Sequence, residues 1–362
     1  MNVEVCSAPS FDVCSTTVTA TLSCVRSSAG VLLGDRAPKY SGEERMSRRR
    51  DQRKKWMKRK RGSQKEDSQP EQRMSSWVVS YLDILGYRSL LHKIDLPPDF
   101  ETEEQRRVVE QAFIPPIRLR RRLITLVRRS IEGLSEPANL DHIPRESRKI
   151  VADWHKAKVM RWDGPDNIVL ATSLENRPGH FPIRGLYNLI VTVASTMIIQ
   201  LSLGADDPNQ TLPVRGGIDL AIGTVLQPEN FLYSAAYLRA YCIECQKAIY
   251  PRTVAGERLM DYLNHLSGDS MEIRYHNTLV TRIRSMFFQD MDGSIVLDFL
   301  GDAVRESLGQ SRDGTNLVAN AWNYVKAAYA AHRESGDERL IAKYEWLIDY
   351  MKPRLRSWRV EE

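Results

Sequence analysis

The chain has 362 residues, 42% of them hydrophobic, with 52 Lys and Arg against 46 Asp and Glu and a net charge of +6. That length and apolar content suit a soluble chain with one large domain or two ordinary ones. Its five cysteines, three of them within the first 24 residues, exclude a disulfide framework and point to a reducing cytoplasm.

The charge is unevenly spread. Residues 1–74 hold 16 Lys and Arg against 9 Asp and Glu, leaving by difference 36 against 37 for the rest, so the excess of base belongs to the N-terminal segment. Within it RMSRRRDQRKKWMKRKR (45–61) has eleven basic residues and one acid. So few large apolar groups cannot offset the entropy of ordering, and residues 1–74 are expected to form a disordered basic tail. Such a run serves as a nucleic-acid or anionic-membrane patch, or is either a solvated extension or the product of a start called too early, with Met46 or Met74 as the true start; the latter two readings are favoured. No basic stretch leads into a clean apolar run, so no secretory signal is expected.

Residues 77–85 alternate as a strand that ends in Asp83 before a turn at Gly86 and a short helix broken by Leu96–Pro98. Two charged amphipathic helices follow, split by Pro115 and Pro116, and Arg118, Arg120, Arg121, Arg122, Arg128 and Arg129 form a basic face, read as solvated surface with nucleic-acid or triphosphate contact as the alternative. KVMRW (158–162) and NIVLATSL (167–174) read as a hairpin around the DGPD turn. GLYNLIVTVASTMIIQLSLGA (185–205) carries no charge and has the length of a membrane span, but its scattered Asn, Thr, Ser and Gln favour a helix at 183–203 buried against a sheet. A strand at 212–226, a helix at 231–249 and two long C-terminal amphipathic helices complete an α+β pattern with an antiparallel core.

If the hairpin pairs beside the first strand, Asp83 and Asp166 converge at one end of the sheet. Two hard oxygen ligands beside the amides of a glycine turn form an open Mg²⁺ site that phosphate oxygens complete. The alternative is a pair of ordinary turn aspartates. Cys242 and Cys245, a C-x-x-C without a second ligand pair, are read as small packing residues, and Asp290 and Asp292 of QDMDG as part of a hairpin turn rather than a calcium loop.

YLDILGY, then a hairpin ending in DNIVL, then VRGGI with a glycine five residues on, are similar to class III nucleotidyl cyclases. AYCIECQKAIYPRTV (240–254), QDMDGSIVLDFL (289–300) and AKYEWLIDYM (342–351) extend the resemblance to a bacterial group that includes the pyrimidine cyclases of Pycsar anti-phage systems. The resemblance implies a ferredoxin-like antiparallel sheet with flanking helices over 75–300 and a C-terminal helical extension over 301–362. It implies a lyase that converts a nucleoside triphosphate, UTP or CTP, to a 3′,5′-cyclic nucleotide and pyrophosphate, as a signal to a separate effector.

By the same resemblance Asp83 and Asp166 hold two Mg²⁺ or Mn²⁺ ions per site, and the backbone of Ile84, Leu85, Gly86 and Tyr87 holds the triphosphate. Trp162 stands where adenylate cyclases read the base with a lysine, which leaves a pyrimidine open, with an ordinary hairpin core residue as the alternative. Where the family places an Asn and an Arg on the following helix, this chain has Leu238 and Cys242; Arg239 and Arg252 are the candidate replacements, with a structural role as the alternative for both. The implied assembly is a homodimer with sites shared between protomers. Nucleic acid and membrane partners are not expected. A catalytically silent nucleotide-binding module and a basic nucleic-acid-binding protein are the alternatives.

Overall fold

The computed structural model describes residues 74–85, 102–135, 158–164, 166–175, 181–205, 213–226, 231–266, 273–308 and 312–361. All of them lie in one compact unit, Gln69–Glu362. The basic run 45–61, the rest of the tail before Met74 and the expected helix after Gly86 lie outside the described residues.

The fold is mixed α and β around an open, mostly antiparallel sheet. Strand β1 (Ser75–Ile84) leads to the long helix α1 (Glu103–Ser135), the hairpin β2 (Met160–Asp163) and β3 (Asn167–Ser173), helix α2 (Pro182–Leu203) and strand β4 (Val214–Leu226). β1 lies between β3 and β4 and is antiparallel to both, with β2 outside β3. This β-α-β-β-α-β unit continues through β5 (Phe231–Ser234), α3 (Ala235–Lys247), β6 (Thr253–Ala255), α4 (Glu257–His265), α5 (Ile273–Arg284), β7 (Phe287–Gln289) and β8 (Ile295–Leu297). Among the described residues the sheet order is β2-β3-β1-β4-β6-β8-β7; β5 pairs with β4, and β4 with β6 is the parallel pair. Helices α6 (Asp302–Leu308), α7 (Arg312–Ser335) and α8 (Glu338–Leu355) close the chain.

The period of two along β1 sends Val78, Ser80 and Leu82 to one face of the sheet and Trp77, Val79 and Tyr81 to the other, and all six are buried. The first face meets α2, whose Leu186, Leu189, Ile190, Val193 and Met197 share one core with Leu123 and Val127 of α1 and with Val318, Trp322, Tyr344 and Leu347 of the C-terminal helices. Each such large apolar side chain contributes about 1.5–3 kcal/mol when fully buried. α2 is long and apolar enough to cross a membrane, yet that stretch is wholly enclosed by the protein. Its hydroxyls bond back along the helix, Thr192 to the Asn188 carbonyl, Ser195 to Val191 and Thr196 to Thr192, at 2.7–2.8 Å. That is how a polar-dotted helix lies in an apolar core.

Two element boundaries differ from the sequence reading. One helix, not two, runs from Glu103 to Ser135, straight through Pro115 and Pro116. Proline's φ near −65° is itself helical, and its penalty is missing amide donors and a local clash; packing of the Leu123 and Val127 turns on α2 outweighs it. The segment 231–249 begins as strand β5 and turns helical only at Ala235, because Ser234 stays extended and its hydroxyl accepts the Ala236 amide at 3.1 Å as an N-cap.

Candidate active site

Register brings the two aspartates together. Asp83 stands opposite Asn167 on β3 and Arg215 on β4, and the Ile84 amide donates to the Asp166 carbonyl at 3.1 Å. Asp166 is thus the residue before Asp83's own cross-strand partner. Its carboxylate accepts from Asn167 Nδ2 at 3.0 Å. Gly164 leaves room for this, since a β-carbon there would collide with the Asn167 side chain.

Both carboxylates act on the same tyrosine. Burial, the Tyr237 hydroxyl, and the charges of Asp83, Asp166 and Glu244 push the Tyr81 phenol well above its ordinary range. Tyr237 is also raised, by burial and then by Asp166. Tyr81 meets the rings of Tyr237 and Tyr241 edge to face, at 5.8 and 5.3 Å. Trp162, opposite Val169 and packed with this cluster, is half-buried on the same face. An aromatic floor therefore lies beside a pair of acids, covered by α3.

α3 approaches unusually closely. Ala236, Ala240 and Glu244 form a buried stripe, and a β-carbon on Gly217 would strike the Ala240 carbonyl. This stripe carries Glu244, 2% exposed, to 2.5 Å from Arg215 Nε. Arg215 reaches on to Asp83 at 3.5 Å. Lys343 of α8 is in electrostatic range of both: burial, then Arg339 and Arg215, lowers its pKa, while Asp337 and Asp83 oppose the shift. Sequence reasoning missed Arg215, Glu244 and Lys343. Arg215 and Asp219 break an otherwise apolar face of β4, and Glu244 continues a four-residue spacing of small residues; those were the available signals.

The remaining sequence candidates have other work. The Ile84 amide is bound to Asp166 and the Leu85 amide to the Pro213 carbonyl at 2.9 Å, so neither N–H is directed at a ligand. Gly86 and Tyr87 lie outside the described residues. Arg239 pairs at 2.6 Å with Asp219, a fully buried carboxylate that also accepts the Leu259 amide at 3.1 Å and so caps α4, whose own N-cap is Gly256. Arg252 is 1% exposed and is held by Asp290, Asp292 and the Lys247 carbonyl. QDMDG is indeed a hairpin turn, between β7 and β8, with Gly293 at φ 81°. Cys242 and Cys245 are exposed on α3 rather than packed, because the stripe at 236, 240 and 244 takes the buried side of the helix.

The two aspartates fit a hard cation that keeps much of its shell as water or phosphate oxygen, since Asp83 retains 16% exposure and the acids meet at a strand end. Among the described residues no group of three or more His, Cys, Asp or Glu is arranged to enclose a metal. No protein-family model matches the chain, and no curated protein matches it.

Proposed function

We propose that this protein is a class III-type nucleotidyl cyclase on a ferredoxin-like sheet, converting a pyrimidine nucleoside triphosphate to its 3′,5′-cyclic monophosphate and pyrophosphate. The observation that carries the reading is the adjacency of Asp83 and Asp166 at the end of the central strand, on the face that also holds Tyr81 and Trp162. Mg²⁺ or Mn²⁺, two per site, would supply charge neutralisation on the triphosphate and acidify the ribose 3′-hydroxyl. The aspartates would hold that charge in place, with Arg215 3.5 Å from Asp83 beside them. Trp162 presents a plane for the base. The 3′-hydroxyl would lose its proton to solvent as its oxygen bonds to the α-phosphorus and the bond from that phosphorus to pyrophosphate breaks.

A homodimer with shared sites accompanies this reading. Phe231 and Tyr233 on β5 and Ile222 on β4 are large exposed apolar side chains on one face of the β4–β5 pair, a surface suited to a second copy. The cyclic product would act on a separate effector, in the cytoplasm, as an antiviral signal.

A second reading, a silent module that binds nucleotide without turning it over, is favoured by one observation: Arg239 and Arg252 both serve carboxylates of their own chain. Incubating the protein with each of the four nucleoside triphosphates and Mn²⁺, with products weighed by mass spectrometry, separates the two. A cyclic pyrimidine nucleotide that disappears in folded Asp83→Ala and Asp166→Ala proteins is the expected result. Nucleotide binding with no pyrophosphate released from any of the four selects the silent module instead.

A further inference from the structure

Arg120 belongs by sequence to the basic run of α1, but it does not share the solvated face. Arg118, Arg121, Arg122, Arg128 and Arg129 are exposed, whereas Arg120 turns inward. Its Nη2 donates to the Gly164 carbonyl and, at 2.9 Å, to the Asn167 carbonyl. Those two carbonyls bracket the Asp166 turn, and the Gly164 amide closes it by donating to the Asn167 carbonyl at 3.0 Å. One helical turn on, Arg161 of β2 returns the connection by donating to the Ile124 carbonyl at 3.0 Å. Leu123 and Val127, fully buried on the adjoining inward stripe, seat this part of α1 on the core.

We infer that Arg120 is a positioning residue for the metal site: anchored through α1 to the core, its guanidinium holds the Gly164–Asn167 turn so that Asp166 stays beside Asp83. This deepens the cyclase reading and rests on it. A guanidinium nitrogen with two hydrogens suits two carbonyls at once, and its planar, always-charged group keeps those donors in place. Groups that orient a metal ligand typically matter about 10–100-fold in metal affinity.

The test reads metal directly, apart from turnover. Tb³⁺ is titrated into the full chain, binding is followed by emission sensitised through the nearby tyrosines and Trp162, and Mn²⁺ is used as competitor. Asp166→Asn is the control and should remove the competed signal. Arg120→Gln should raise the half-saturating Tb³⁺ concentration about tenfold or more, with Arg120→Lys in between because one ammonium reaches one carbonyl well. Gly164→Ala, which crowds Asn167 without changing charge, should shift it the same way.

Wild-type affinity in folded Arg120→Gln, with the signal still lost in Asp166→Asn, overturns the positioning role and leaves the cyclase reading standing. If the wild-type protein gives no competed signal, or Asp166→Asn leaves it intact, the metal site falls and the inference with it. Should Arg120→Gln fail to fold, Arg120→Lys decides: weaker binding at an unchanged unfolding midpoint supports the role, and unchanged binding overturns it.

Discussion

Arg215 on β4 and Arg252 just before β6 each stand between two carboxylates, and the two centres are built differently. Arg252 is 1% exposed, both of its acids come from the β7–β8 turn, and Asp290 also accepts from Trp346 at 3.2 Å. Trp346 stacks on Tyr250, two residues before Arg252. Arg215 is 23% exposed, its two acids come from different elements, and its reach to Asp83 is a loose 3.5 Å. A centre whose guanidinium ends are both held by carboxylates of one turn ties elements together. An open one, with a long contact to an acid at a strand end, can exchange that contact for a ligand.

The sharpest way to break this contrast is Arg252→Ala, which leaves the largely buried Asp290 without its cation and should destabilise the fold by about 3–5 kcal/mol in urea denaturation. A smaller loss would mean the centre is not closed in solution. On the open side, Asp83→Asn should lower metal-dependent turnover by about 10²–10³-fold, equivalent to about 3–4 kcal/mol of barrier, measured as pyrophosphate release. The same variant should unfold within about 1 kcal/mol of wild type, because Arg215 keeps Glu244. Equal damage to stability and turnover would erase the distinction.

A finer probe is pH. Asp292 is pulled from the ordinary 3.8 to about 2, chiefly by the Arg252 hydrogen bond, against a smaller opposing effect of burial, and further by the Ser294 amide. A depressed carboxylate stabilises the fold fully above pH 4 and loses that contribution as pH falls through 2. Because this side chain is 47% exposed, solvent screening reduces its contribution to about 1 kcal/mol. Urea midpoints at pH 4 and pH 2 should show this loss in wild type, and Asp292→Asn should flatten that part of the profile. The smallest effect is expected at Cys242, exposed on α3, where Cys242→Ser should shift stability by less than about 0.5 kcal/mol.

What was legible in the sequence was local. The alternation of 77–85, the apolar run of α2 and the DGPD turn follow from side-chain period and turn chemistry, and the adjacency of Asp83 and Asp166 required only that β1 and β3 pair. Side-chain commitments were not legible. Arg239 and Arg252 looked available because Asp219 is 20 positions from the first and Asp290 is 38 from the second. Arg120 looked solvated because its neighbours at 118, 121 and 122 are. Its carbonyl partners lie 44 and 47 residues on, beyond any helical period. The prolines in α1 misled for a related reason, since tertiary packing outweighed a local penalty.

The central position of β1 also sets a schedule for the chain's synthesis. Its two neighbours are β3 and β4, so one edge has no partner until Asn167–Ser173 emerges from the ribosome and the other waits for Val214–Leu226. At typical translation speeds the second wait is on the order of ten seconds. Throughout it, an apolar strand with unpaired amides and carbonyls is exposed to other nascent chains, and loop closure over so long a separation is slow. Yield at high expression should therefore respond to slower synthesis or a holding chaperone, even for variants whose finished fold is as stable as the parent.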